Sequence, residues 1–164
     1  NGIFVSIHVN ASISKKISGY ETYFLSQNPT NEEARNTAAL ENNVIVLEDN
    51  KNSKKYEDLD YIEATMKTTQ ILKESSILAN DIQKYILGIN STFISRGVRK
   101  ADFFVLRGVM MPAVLVEVGF ITNYKEVRYL LRDTYQRKIA LGISDGIVKF
   151  IKKYNSGKTL ITNR

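Results

Sequence analysis

Two short apolar runs frame the chain. Ile3-Phe4-Val5-Ser6-Ile7-His8-Val9-Asn10-Ala11 is rich in β-favouring residues and predicts a strand close to the start. Ala113-Val114-Leu115-Val116-Glu117-Val118 is almost unbroken in apolar character, the pattern of a strand buried on both faces of a parallel sheet. Pro112 stands just ahead of that run, where its missing N–H costs a sheet least. Residues 20–25 predict another strand, and 103–107 a further one, joined to the Glu117 strand through 108–111. Arg96-Gly97-Val98-Arg99-Lys100 reads as a small basic loop.

Between the strands the period lengthens to that of helices. Thr30-Asn31-Glu32-Glu33 has capping-box spacing, so a helix should start near Asn31 and run through Ala34, Ala38 and Ala39 to about Asn42-Asn43. Residues 44–47 fit either a short strand or the end of that helix, and 48–60 form a charged, Asn- and Lys-rich loop. Asp60-Tyr61-Ile62-Glu63 opens the next helix. Its Ile71, Ser75, Leu78, Ile82 and Tyr85, with Leu72, Ala79 and Ile86 beside them, make one wide stripe for packing on a sheet, and Gly88 ends it. A short helix over 124–131 precedes a last one over 133–154, which carries Ile139, Ile143, Ile147, Phe150 and Ile151 on one side. Residues 155–164 read as a polar tail.

This alternation predicts an α/β fold with a mainly parallel twisted sheet flanked by helices. The stretch 28–60 is long against the roughly 2–6 residues usual for a connection in a compact α/β unit, and it reads as an insertion.

The exceptions to the apolar pattern carry the chemistry. A buried, unpaired carboxylate costs several kcal/mol, so Glu117 needs a hydrogen-bond network, a cation or a wet cleft. In open α/β sheets that cleft lies outside the carboxyl ends of the strands, and Glu117 sits near such an end, just before Gly119. His8 is the only histidine in the chain and lies near the end of the other run. A single histidine is more often packed than ligating. Parallel pairing of the two strands would bring His8 and Glu117 out on one edge, and the two together define a candidate site.

Composition narrows the classes. The 164 residues suit one domain, and 43% hydrophobic content is that of a globular chain. The absence of cysteine removes disulfides, thiolate metal sites and a cysteine nucleophile. No stretch approaches the ~20 apolar residues of a membrane span, and no signal peptide is visible. The net charge of +6 suits an anionic partner. No basic run is interleaved with aromatics, however, so nucleic acid is not expected, and solubility alone accounts for the charge. A nucleotide-binding domain would need a phosphate-binding glycine loop, which this chain does not show.

Phe4-Val5-Ser6-Ile7-His8-Val9-Asn10-Ala11 and Pro112-Ala113-Val114-Leu115-Val116-Glu117-Val118-Gly119-Phe120-Ile121-Thr122-Asn123 resemble two signature blocks of the zinc-dependent N-acetylmuramoyl-L-alanine amidases of the amidase 3 type. Gly19-Tyr20-Glu21-Thr22-Tyr23-Phe24-Leu25 and the segment from Arg96-Gly97-Val98 to Phe104-Val105-Leu106-Arg107 match in the same order. The resemblance implies a phosphorylase/hydrolase-like amidase fold. It also implies hydrolysis of the amide between N-acetylmuramic acid and L-alanine in peptidoglycan, a zinc cofactor, and a place in the cell envelope, periplasmic or secreted. It implies as well an activator protein acting on a helical insertion near 28–60. The family's first strand, its glycine-rich loop with a zinc histidine and the following helix with a zinc glutamate find no counterpart, so residues 1–154 correspond to the C-terminal portion of the catalytic domain, with the N-terminal strands missing. Two roles carry over: His8 as a zinc ligand and Glu117 as the catalytic acid/base. Asn10 is a candidate for orienting His8 or the substrate, and Arg96, Lys100 and Arg107 for binding the peptide's carboxylates. The alternative is a catalytically incomplete module that binds peptidoglycan or a regulatory partner.

Overall fold

The computed structural model describes residues 2–48, 66–89 and 93–162. The expected loop beyond Glu48 and the helix start at Asp60 lie outside the described residues. In chain order the elements are β1 (Phe4–Asn10), β2 (Tyr20–Leu25), α1 (Glu32–Glu48), α2 (Met66–Ile89), β3 (Ser95–Ala101), a single 3-10 turn (Phe104–Leu106), β4 (Ala113–Phe120), α3 (Tyr124–Leu130) and α4 (Asp133–Thr162).

The sheet runs β1-β4-β2-β3. β1 pairs with β4 and β2 with β3 in parallel, while β2 meets β4 antiparallel, so the sheet is mixed with two of its three pairings parallel. β4 is central and every one of its residues is buried, which accounts for its continuous apolar run. β1 lies at the end of this sheet and leaves Ile7 and Val9 exposed.

Strand alternation divides the interior into two layers. Val114, Val116 and Val118 face α2 and α4, where they meet Leu78, Ala79, Ile82, Ile86, Ile139, Ile143 and Phe150. Ala113 and Leu115 face the other way, toward Tyr23, Ala34, Ala38, Ala101, Phe103 and Leu106. The apolar stripes of α2 and α4 therefore do what their spacing predicts. α2 and α4 pack so closely that a Cβ on Gly146 would lie 2.5 Å from the Ile82 Cα, and one on Gly142 2.9 Å from the Ile86 Cα.

α1 starts as its cap requires, with the Asn31 side chain accepting from the Ala34 N–H at 2.9 Å. It continues through 44–47, which settles that ambiguous stretch as helix. The stretch read as an insertion thus opens with a helix whose Ala34, Thr37 and Ala38 are buried.

Three sequence expectations are corrected. The basic segment 96–100 is part of strand β3 and not a loop. Its Gly97 adopts φ +83° where the register to β2 shifts, and this bulge together with the basic side chains hid the strand. Residues 104–106 form a 3-10 turn where a strand was expected. Phe103 and Leu106 are both buried, and the Leu106 N–H donates to the Phe103 carbonyl at 3.1 Å, so the apolar anchors fall three residues apart instead of two. The last helix does not stop near 154 but runs to Thr162.

Candidate functional site

The β1–β4 register places His8 directly beside Glu117, and the β2–β4 register places Glu21 on its other side. All three project to the face that carries Leu115 and Tyr23, under α1. Sequence reasoning expected His8 and Glu117 on one edge, and the structure makes them lateral neighbours. Asn10 joins them: it is buried, and its Nδ2 donates to the Glu21 Oε1 at 3.0 Å and to the Thr37 Oγ1 at 3.4 Å.

Three of the four carboxylates around this point have partners. Glu21 is fully buried and accepts from the Tyr23 hydroxyl at 2.7 Å and from Arg96 Nε and Arg99 Nε at 3.1 Å each. Glu33 pairs with the same two guanidinium groups. Burial, and then the charge of Glu21, drive the Tyr23 phenol well above its ordinary pKa, so it acts as a fixed donor. Glu41 of α1 meets the His8 Nδ1 at 2.6 Å. Glu117 is the exception: it is fully buried, and neither oxygen has a hydrogen-bond partner among the described residues. Burial holds its pKa well above the carboxylate range, and the nearby charges of Glu41 and Glu21 push it further up. A buried, orphaned carboxyl between an imidazole and an ion-paired glutamate is costly for the fold and useful for proton transfer.

The other candidates fare differently. Arg96 borders the site, but its guanidinium is committed to Glu21, Glu33 and the Ser18 carbonyl. Arg107 is held by Asp102 at 2.5 Å and lies over the Phe104 ring. Lys100 lies on β3, two strands away from Glu117. Arg96 and Arg107, candidates for binding the peptide's carboxylates, are each paired with a carboxylate of the chain itself.

Sequence reasoning missed Glu41 and Glu21. Glu41 follows Ala34 and Ala38 at helical spacing, which puts it on the helix face that packs on the sheet. Glu21 alternates with Tyr23 in a β-favouring run, the same signal that exposed Glu117. At the far side of the sheet end, Glu126 accepts from the Gly19 and Phe120 N–H groups at 2.6 Å each and ties β2 to the exit of β4. Gly19 must be glycine there: it sits at φ +113°, and a Cβ would fall 2.4 Å from the Ile94 carbonyl oxygen.

A metal fits this site in part. His8 offers one ring nitrogen, and Glu117 is a buried acid without a counter-charge. Among the described residues no three His, Cys, Asp or Glu side chains converge to hold an ion.

The fold and site define an α/β domain with an imidazole–carboxylate pair at the carboxyl ends of two adjacent parallel strands. The N-acetylmuramoyl-L-alanine amidase family of the amidase 3 type matches residues 1–149, and the chain belongs to that family. It is 29% identical over 157 residues to the amidase AmiA of Escherichia coli, covering 95% of this chain and 54% of AmiA. Among solved structures it resembles the catalytic domain of CwlV, an N-acetylmuramoyl-L-alanine amidase of Bacillus (Paenibacillus) polymyxa, at 29% identity and TM-score 0.58, over 92% of this chain and 57% of CwlV. It also resembles the CwlD amidase of Clostridioides difficile, solved with the GerS lipoprotein, at 26% identity and TM-score 0.59, over 92% of this chain and 54% of CwlD. The chain thus spans about half the length of the relatives it matches. Among the described residues no helix is long and apolar enough to cross a membrane.

Proposed function

We propose that this chain carries the catalytic half of a cell-envelope peptidoglycan amidase, which hydrolyses the amide between N-acetylmuramic acid and L-alanine. The observation that supports this most is Glu117, buried and orphaned beside His8 in the strand register. In this reading Glu117 takes a proton from the attacking water and delivers one to the leaving amine of the L-alanine. A carboxyl already biased toward its protonated form is suited to that donation. His8 would hold zinc through one ring nitrogen, and Asn10 locks Glu21 in place next to Glu117. Bound zinc supplies a water of pKa near roughly 7 and polarises the scissile carbonyl. The test is digestion of purified peptidoglycan: new L-alanine amino termini with intact glycan strands are expected. Retention of the chain on peptidoglycan without such termini would favour the binding-module alternative.

On its own, this chain is expected to hold zinc poorly. With one histidine and no cysteine, it lacks the ligands of a tight three-ligand site among its described residues. Metal analysis after dialysis should find well under one zinc per chain. One tightly retained zinc per chain would overturn this ligand assignment.

We also propose that the 28–60 segment restrains access to the site and is the contact for an activator protein. CwlD is paired with a lipoprotein in its solved complex. On α1, Leu40, Val44 and Leu47 form an exposed apolar stripe, suited to a protein partner. Replacing 49–60 with a short linker spares the buried Ala34, Thr37 and Ala38, and it should raise basal cleavage. Unchanged cleavage would remove the restraint from this reading.

A further inference from the structure

We propose that residues 11–18 and 121–128 form a rim that binds the carboxylate-bearing stem peptide of peptidoglycan, with Lys15, Lys16, Lys125 and Arg128 supplying its positive charge. The inference rests on the amidase reading above and adds to it the subsite for the peptide side of the scissile amide.

The first support is where the rim lies and how it is built. It follows directly on the carboxyl ends of β1 and β4, where Asn10 pairs with Phe120. The Ile121 N–H donates to the Asn10 carbonyl at 2.8 Å, and the Ser12 N–H to the Thr122 hydroxyl at 3.1 Å. Asn123 caps α3 with its side-chain oxygen, and its Nδ2 donates to the Ile17 carbonyl at 3.0 Å. The two segments are thus fastened to each other and to the sheet that carries Glu117, so a ligand has little of the rim left to order. Ile121 lies four positions beyond Glu117, at most roughly 13 Å at the rise of a strand. An extended peptide of about four residues covers that distance.

The second support is charge. None of the four cations pairs with a carboxylate among the described residues. The one acid of the two segments, Glu126, is buried against the Gly19 and Phe120 amides. The exposed rim is therefore positive throughout, while Arg96 and Arg107 are already paired with Glu21 and Asp102. Of the two parts joined by the scissile amide, the sugar strand is neutral and the peptide bears the carboxylates, so a positive rim selects the peptide. Ile13, Ile121 and Tyr124 are exposed among these charges and offer apolar surface to the peptide's methyl groups.

The test is equilibrium binding of a synthetic peptide that begins with L-alanine and bears two free carboxylates, beside the same peptide fully amidated. Wild type should bind the free-acid peptide about tenfold more tightly, since exposed ion pairs are individually weak and two act together. Lys15→Gln, Lys16→Gln, Lys125→Gln and Arg128→Gln combined should bring the free acid down to the amidated level. Should that variant not fold, Lys15→Gln with Lys16→Gln alone is expected to lose about threefold. Lys73→Gln, Lys84→Gln, Lys149→Gln and Lys152→Gln remove as much charge from exposed positions of α2 and α4 and should leave the preference intact. Equal binding of the two peptides by wild type, a folded rim variant that keeps the preference, or an equal loss in the α2/α4 variant would overturn the proposal. Rim-dependent binding of a peptide-free glycan strand or of anionic phospholipid vesicles, with no preference for the free-acid peptide, would overturn it too. A rim-dependent preference in a chain whose full-length enzyme releases no L-alanine termini from peptidoglycan would uphold the rim and count against the amidase reading instead.

Discussion

Glu117→Gln is expected to stabilise the folded protein at neutral pH while removing peptidoglycan cleavage by the full-length enzyme. Both effects come from the same buried carboxyl. With its pKa well above the ordinary value of about 4.3, folded Glu117 keeps a proton that the unfolded chain releases. Below about pH 4 the group is protonated in both states, and its titration costs the fold nothing. As pH rises from there toward the folded pKa, the unfolded state binds fewer protons than the native state, so stability falls. Glutamine keeps the shape and never ionises, so the stability gap between variant and wild type should open with rising pH and level off once the folded pKa is passed. A chain of this size responds by about 2–4 °C in Tm per kcal/mol. Melting curves with a chelator present, so that no cation offsets the charge, should show nearly equal midpoints near pH 4 and a higher midpoint for the variant at pH 8. Loss of the proton-transfer group should lower turnover by about 10²–10⁴-fold. A variant less stable than wild type at pH 8, or one with near-normal turnover, would contradict the role given to Glu117.

The second large effect lies far from the chemistry. Gly146→Ala should destabilise the protein although alanine is the better helix former. The gain from propensity is about 1 kcal/mol. Against it stands a Cβ placed 2.5 Å from the Ile82 Cα and 2.8 Å from the Ile82 N, both backbone atoms that cannot rotate aside. α4 and α2 must separate, which loosens the contact of Ile82, Ile86, Ile139 and Ile143. A net loss of about 2 kcal/mol or more is expected, roughly 4–8 °C in Tm. Gly88→Ala is the internal control. It lies in α2 with nothing within 4 Å of an added Cβ, so only the propensity gain remains and the midpoint should rise slightly. Equal responses at the two glycines would show that the close approach of the helices carries no weight.

What the sequence revealed and what it concealed follow from one distinction. Apolar periodicity reports burial, so β1, β4 and the stripes of α2 and α4 were legible, as was the pairing of His8 with Glu117 at the sheet end. Glu117 itself stood out because an acid interrupted an apolar run. β3 was hidden because its Arg96 and Arg99 serve a buried acid, Glu21, and charged residues recruited in this way look like a loop until their partner is known. The ion pairs of Arg96 and Arg107 were not legible either, since their carboxylates lie elsewhere in the chain or in a turn of unexpected type. Glu41 was obscured by the exposed Leu40, Val44 and Leu47 around it, which blur the amphipathic signal of α1.

The order β1-β4-β2-β3 has a consequence for how the protein is made. The strand that joins the two halves of the sheet is the last to be synthesised, because β4 separates β1 from β2 and follows both in the chain. Until Phe120 has emerged, the pairing of β1 with β4 cannot form, and His8 and Glu117, more than 100 residues apart, cannot meet. Such distant pairing forms late and slowly. A nascent chain interrupted anywhere before β4 is therefore inert by construction, and the site comes into being in the same event that closes the sheet.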